Sequence, residues 1–121
     1  VWWARILMED PLRICRALRF AAKLRDFVLH ESFWMAVPFA LPALRAKVAG
    51  NRKNTEYFKI GGYGIAQSRD FFELAFAHTF RGPDGDLRLA AALFGGADAK
   101  GLPHSISEVQ SFDEQALSKF R

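Results

Sequence analysis

Between Glu9 and Arg19 the sequence gathers two carboxylates and three guanidiniums in the order Glu9, Asp10, Arg13, Arg16, Arg19. A carboxylate accepts hydrogen bonds and a guanidinium donates them. An aspartate and an arginine three residues apart at a rigid helix start therefore offer an acceptor beside a donor, an edge of the kind that reads a nucleobase. Arginines at i, i+3 and i+6 ordinarily mark a solvated helix face. Two details set this run apart. Arg13 falls in the first turn, where the positive end of the helix dipole disfavours a cation by about 0.3–1 kcal/mol, and Asp10 stands close enough before it to pair.

The element that must hold these groups is a helix opening at Asp10 as N-cap and Pro11 as first helical residue, positions that suit both side chains. Leu12, Cys15, Leu18 and Ala22 recur at helical spacing and predict a buried stripe. Arg13, Arg16 and Arg19 advance by about 300° per step, so their guanidiniums share one side of the cylinder. A second charged helix is expected after the turn signal Gly50-Asn51, with Arg52, Glu56 and Lys59 on one face. Arg52 and Glu56, four apart, have the spacing of a structural ion pair.

The run Glu9-Asp10-Pro11-Leu12-Arg13, continued by Ile14-Cys15-Arg16-Ala17-Leu18-Arg19-Phe20-Ala21-Ala22, resembles the E-D-x-x-R motif and its R-x-x-R-F continuation in class II tRNA nucleotidyltransferases, the CCA-adding enzymes related to bacterial poly(A) polymerases. Val48 to Ile60 is similar to that family's neck segment, V-S-x-E-R-x-x-x-E-L-x-K-I, with Asn51 in place of its glutamate and Tyr57 in place of its leucine. The resemblance covers roughly residues 5–80. It implies that Asp10 and Arg13 form the base-reading edge, that Arg16 and Arg19 contribute to nucleotide binding, and that Glu9, Arg52 and Glu56 support them, Glu9 by orienting Arg13. It also implies an intracellular enzyme that adds CMP and AMP to the tRNA 3′ end from CTP and ATP with Mg²⁺.

Phosphoryl transfer of this kind uses a glycine-rich phosphate cradle and a carboxylate pair for two metal ions. In the resembled enzymes both belong to a β-containing head domain that precedes the E-D-x-x-R motif, so the chain is expected to carry the nucleotide-selecting half of the site alone and to be inactive by itself. Residues 1–64 would be the neck and 65–121 the start of the helical body. Asp84-Gly85-Asp86 reads as a surface turn rather than a metal pair, and Gly61-Gly62-Tyr63-Gly64 as a helix stop rather than a phosphate loop. An RNA adenylyltransferase of the poly(A)-polymerase type and a non-catalytic helical RNA-binding module are the rival readings.

The rest of the sequence bounds the answer. With 121 residues, half of them hydrophobic and a quarter charged, the chain makes one ordinary domain or part of one. Its formal net charge of +4 is compatible with a polyanionic partner. The single cysteine, Cys15, excludes an internal disulfide and a cysteine zinc cluster, and is expected to be a buried, inert thiol. His30, His78 and His104 lack metal-ligand spacing. No apolar run approaches the roughly 20 residues of a membrane span, the opening segment lacks a signal-peptide layout, and the missing initial Met points to a piece of a longer protein.

The patterning predicts an all-α helical array. Arg25 to His30 reads as an extended connector, and Glu31 or Ser32 opens a helix over Phe33, Trp34 and Val37 that Pro38 and Pro42 should break into two short, kinked pieces. Gly61, Gly62 and Gly64 end the helix after Gly50. A further helix is expected over Ala66 to Phe80 with Phe71, Leu74, Ala75 and His78 inward. A turn follows at Arg81 to Gly85, then a short helix over Leu87 to Phe94 and a loop from Ala97 to Pro103. A last helix runs from Ser107 to Phe120 with Val109, Phe112, Ala116 and Phe120 on one side.

Overall fold

The structure, a computed structural model, describes residues 2–24, 26, 28–82, 85–95, 102–103 and 105–119. Among these are eight helices and one two-stranded hairpin: α1 (Trp2–Glu9), α2 (Arg13–Lys23), α3 (Glu31–Lys47), α4 (Gly50–Gly61), α5 (Ile65–Ala77), β1 (Thr79–Gly82), β2 (Gly85–Arg88), α6 (Leu89–Phe94), α7 (Ile106–Gln110) and α8 (Glu114–Ser118). The expected helical array is therefore present. The hairpin, antiparallel with Thr79 opposite Arg88 and Gly82 opposite Gly85, is a feature that the patterning did not announce.

The hub is α5, which packs against α2, α4, α6, α7 and α8, while α1 lies on α3 and α3 on α6. Leu12, Cys15, Leu18 and Ala22 are all buried, as their spacing predicts. The core is aromatic. Tyr57, Phe71, Phe72 and Phe94 meet edge-on or tilted at centroid separations of 5.3–5.9 Å, the arrangement that ring quadrupoles favour. The polar groups of this core are satisfied. Ser68 Oγ donates to the Gly64 carbonyl at 2.8 Å, and the Tyr57 hydroxyl donates to the Leu93 carbonyl.

Several boundaries move, each for a local reason. Trp2–Glu9, not foreseen as a helix, forms α1 because Leu7 is fully buried and the Trp3 ring meets Phe33 edge-on at 5.5 Å. Asp10 does not begin α2 directly: its carboxylate accepts the Leu12 amide at 3.3 Å across a turn, and α2 follows from Arg13 with Leu12 in the cap position. The connector after α2 is described only at Asp26 and from Val28. At its end His30 caps α3, its Nδ1 accepting the Ser32 amide at 3.0 Å.

Pro38 and Pro42 do not divide α3, which runs unbroken through both. Phe33, Ala36, Val37, Ala40, Leu41 and Leu44 are buried along one stripe, while Pro42 is exposed and Pro38 half-buried. Burial of that stripe, about 1.5–3 kcal/mol for each large side chain, outweighs two missing amide donors. Helix α5 stops at Ala77 rather than Phe80, where His78 Nδ1 donates back to the Leu74 carbonyl at 3.0 Å and Thr79 starts β1. The next helix accordingly starts at Leu89, since Leu87 belongs to β2. The last expected helix is two, because Asp113 caps a new start by accepting the Ala116 amide at 3.0 Å. Phe120, Asp84, His104 and most of the expected 97–103 loop lie outside the described residues. The glycines after α4 do end it. Gly64 then takes φ 116°, a left-handed backbone that glycine alone adopts without strain, as it turns the chain into α5.

Candidate functional site

Helices α1, α2 and α4 bring one charged cluster together at the Asp10 turn. Asp10 faces two cations: Arg16 Nη1 stands 3.6 Å from Oδ2 and Arg52 Nη2 3.6 Å from Oδ1. Glu56, only 2% exposed, lies beneath them. It accepts from Arg16 Nε at 3.3 Å and from Arg19 Nε at 2.8 Å, and Lys59 Nζ stands 3.7 Å away. Arg19 is itself buried and donates through Nη1 to the Tyr63 hydroxyl at 2.6 Å. Burial opposes its charge, but the hydrogen bond from Arg19 to Tyr63 and the charge of Glu56 outweigh burial and raise its pKa further above the usual arginine range.

The structure thus joins Asp10, Arg16, Arg19, Arg52 and Glu56 in one network and leaves Glu9 and Arg13 as a separate pair beside it, with two changes of partner. Arg52 and Glu56 do not pair with each other, despite their spacing. Arg52 reaches across to Asp10, and Glu56 is taken by Arg16, Arg19 and Lys59, because α4 packs against α2 and the stronger partners lie across that contact. Arg13 does not pair with Asp10 either. It donates to the Ile6 carbonyl at 3.0 Å and stands 3.7 Å from Glu9, while Asp10 is folded onto its own turn. Glu9, which also meets Arg5 at 3.4 Å, is thus the carboxylate in contact with Arg13.

The arginines do not form an even rake. Arg13 fastens α2 to α1, Arg16 bridges Asp10 and Glu56, and Arg19 is an interior strut. Tyr63 and Lys59 belong to the cluster but were not singled out as members. Lys59 shares the face of Glu56 by its i, i+3 spacing, and Tyr63 sits in the glycine-rich helix stop, where composition hides a packed ring. At the surface Arg13, Arg16, Arg52 and Lys59 outnumber Glu9 and Asp10, so this face favours an anionic ligand while keeping Asp10 as an acceptor.

Behind this face Cys15 is fully buried, and burial pushes its thiol up to about 12. It is protonated and inert near neutrality. Among the described residues there is no group of three His, Cys, Asp or Glu side chains that could hold a metal ion. No helix among them is long and apolar enough to cross a membrane.

With this geometry in place, the chain is similar to the CC-adding tRNA nucleotidyltransferase of Geobacter sulfurreducens, 49% identical over 51 residues. That stretch is 42% of this chain and 11% of the relative, so the match spans about a tenth of the relative's length. It bears out the family resemblance drawn from the sequence, over part of the chain. No family profile matches the chain, and no solved structure does.

Proposed function

We propose that this chain is part of a tRNA nucleotidyltransferase and that its Asp10 turn selects the incoming nucleotide by its base. The neck is residues 1–64 and the body begins at 65. One observation carries the reading: a chain alike to a tRNA nucleotidyltransferase over 51 residues holds Asp10, Arg16, Arg52 and Glu56 in one connected cluster. Cytosine and adenine present an amino donor beside an unprotonated ring nitrogen. Uracil and guanine present a carbonyl beside a ring N–H. An aspartate acceptor and an arginine donor suit the first pair and oppose the second. Arg13 serves as that donor by turning from Ile6 and Glu9 toward the base, and Arg16 and Arg19, held by Glu56, keep the surrounding field positive. The relative's name, CC-adding, supports CTP as a substrate, and the shared donor-and-acceptor pattern of adenine adds ATP to this reading.

Asp10 is flanked by Arg16 and Arg52, surroundings that suit a base or a phosphate and not a dication. The residues here therefore do not fit the Mg²⁺ of the reaction, which this reading assigns to the head domain, and the chain on its own incorporates no nucleotide. Product analysis on trimmed tRNA supplied with CTP and ATP tests the proposal in the intact protein. Addition of CC or CCA supports it. An A-only tail would transfer the reading to the poly(A)-polymerase type, and no addition at all would leave a helical RNA-binding module.

A further inference from the structure

A second cluster of arginines lies away from the Asp10 turn. Leu41, Pro42 and Arg45 of α3, Asp86, Leu87 and Arg88 of β2, and the first turn of α6 enclose a cleft of about 260 Å³. Arg45 and Arg88 are exposed, and among the described residues neither guanidinium makes an ion pair or a hydrogen bond. The one carboxylate in the lining, Asp86, stands directly opposite Arg81 in the hairpin, so its charge has a cross-strand counterweight. The floor is apolar.

One wall of the cleft, α6, is tied to α4. The stem of Arg45 passes 3.8 Å from where a Cβ on Gly95 would stand. Lys53 Nζ comes from the other side and donates to the carbonyls of Ala92 and Gly95 at 2.9 and 2.7 Å. Lys53 and Arg52 are neighbours on α4, so a single helix joins this cleft to the Asp10 cluster.

We propose that this cleft binds a phosphodiester of a single-stranded RNA, Arg45 and Arg88 donating to its oxygens while Leu41, Pro42 and Leu87 meet the adjoining sugar or base. Guanidiniums match phosphate geometry in a forked way that ammonium groups do not. Apolar contact beside them suits the unstacked nucleotides of a single strand. The choice of RNA among polyanions rests on the nucleotidyltransferase reading, whereas the anion cleft itself does not.

The test is binding of a labelled oligoadenylate to the full chain across a salt series, with thermal melting to confirm that each variant folds. The double variant Arg45→Ala/Arg88→Ala should bind about 10-fold more weakly, and the slope of log K against log salt should fall by about 0.7 for each lost contact. Arg45→Lys/Arg88→Lys should keep the slope while losing affinity, and Arg5→Ala, on a side chain 83% exposed, should change neither. Equal loss from Arg5→Ala, or an unchanged slope in the double alanine variant, would overturn the proposal. So would binding of inorganic phosphate at the cleft without binding of the oligonucleotide, or equal affinity for duplex DNA. If the arginine dependence holds while Asp10→Asn leaves nucleotide choice unaltered in the intact enzyme, the cleft stands and the base-reading assignment falls.

Discussion

Helix α4 buries two charges of opposite sign one turn apart, and they are satisfied in opposite ways. Lys53 is fully buried and donates hydrogen bonds to main-chain carbonyls at the end of α6. Glu56 is almost as deep and is satisfied by side chains, Arg16, Arg19 and Lys59. A carbonyl cannot turn away, so Lys53 ties one helix to another. A guanidinium can, so Glu56 fixes where the cations of the Asp10 cluster point. The same buried depth therefore produces architecture at one residue and a preset charged surface at the other. Burial lowers the Lys53 pKa, with the nearby Cys15 thiol working against that shift.

The two residues should therefore fail differently. The largest effect is expected from Glu56→Ala, which leaves Arg19 buried without its carboxylate: stability should fall by about 3–5 kcal/mol in denaturant unfolding. The isosteric Glu56→Gln should cost less. It should also weaken nucleotide binding by the intact enzyme, because Arg16 is no longer held. Lys53→Met should cost about 1–3 kcal/mol, since the buried Ala92 carbonyl and the half-buried Gly95 carbonyl lose their donor while a desolvated charge is removed. Nucleotide binding should be unchanged, and a loss matching that of Glu56→Gln would erase the distinction drawn between them.

A smaller effect sharpens the electrostatic side. Cys15 has its pKa raised from 9.0 to about 12 by burial, and Tyr57 is raised well above its ordinary 10.0 for the same reason. Both are neutral acids in the folded state that ionise more readily when unfolded, so the unfolded chain binds fewer protons and stability must fall as pH rises. Cys15 contributes to the fall between pH 9 and about 12, and Tyr57 adds to it above pH 10. Urea midpoints taken through that window should decline for the natural chain and decline less steeply for Cys15→Ser, which has no thiol to ionise.

How much of this was legible in the sequence depends on whether the signal was local. The stripe of Leu12, Cys15, Leu18 and Ala22 and the glycine stop after α4 are short-range patterns, and both hold. Partner choice is not short-range. Arg52 has the spacing to pair with Glu56, yet α4 lies against α2, and that packing delivers Asp10 to one and Arg16 and Arg19 to the other. The prolines of α3 taught a similar lesson, because a local cost was overridden by a buried stripe visible only once α1 and α6 cover it. The hairpin was hidden because Thr79–Arg88 has little strand-like alternation and leans on Gly85, whose φ of 120° turns the chain. Lys53 gave no warning. Nothing in its neighbourhood of the sequence says that Ala92 and Gly95 will stand above it.

The central claim is that Asp10 reads the base as an acceptor. Asp10→Asn replaces one acceptor oxygen by an NH₂ that can face a carbonyl, and a site built on such bonds discriminates by as much as about 10⁴-fold. Single-turnover incorporation from CTP, ATP, UTP and GTP by the intact enzyme measures this directly. The account predicts that Asp10→Asn raises the relative use of UTP while CTP and ATP use falls, and that Arg13→Ala depresses both correct nucleotides without that gain. An unchanged four-nucleotide preference in Asp10→Asn would contradict it.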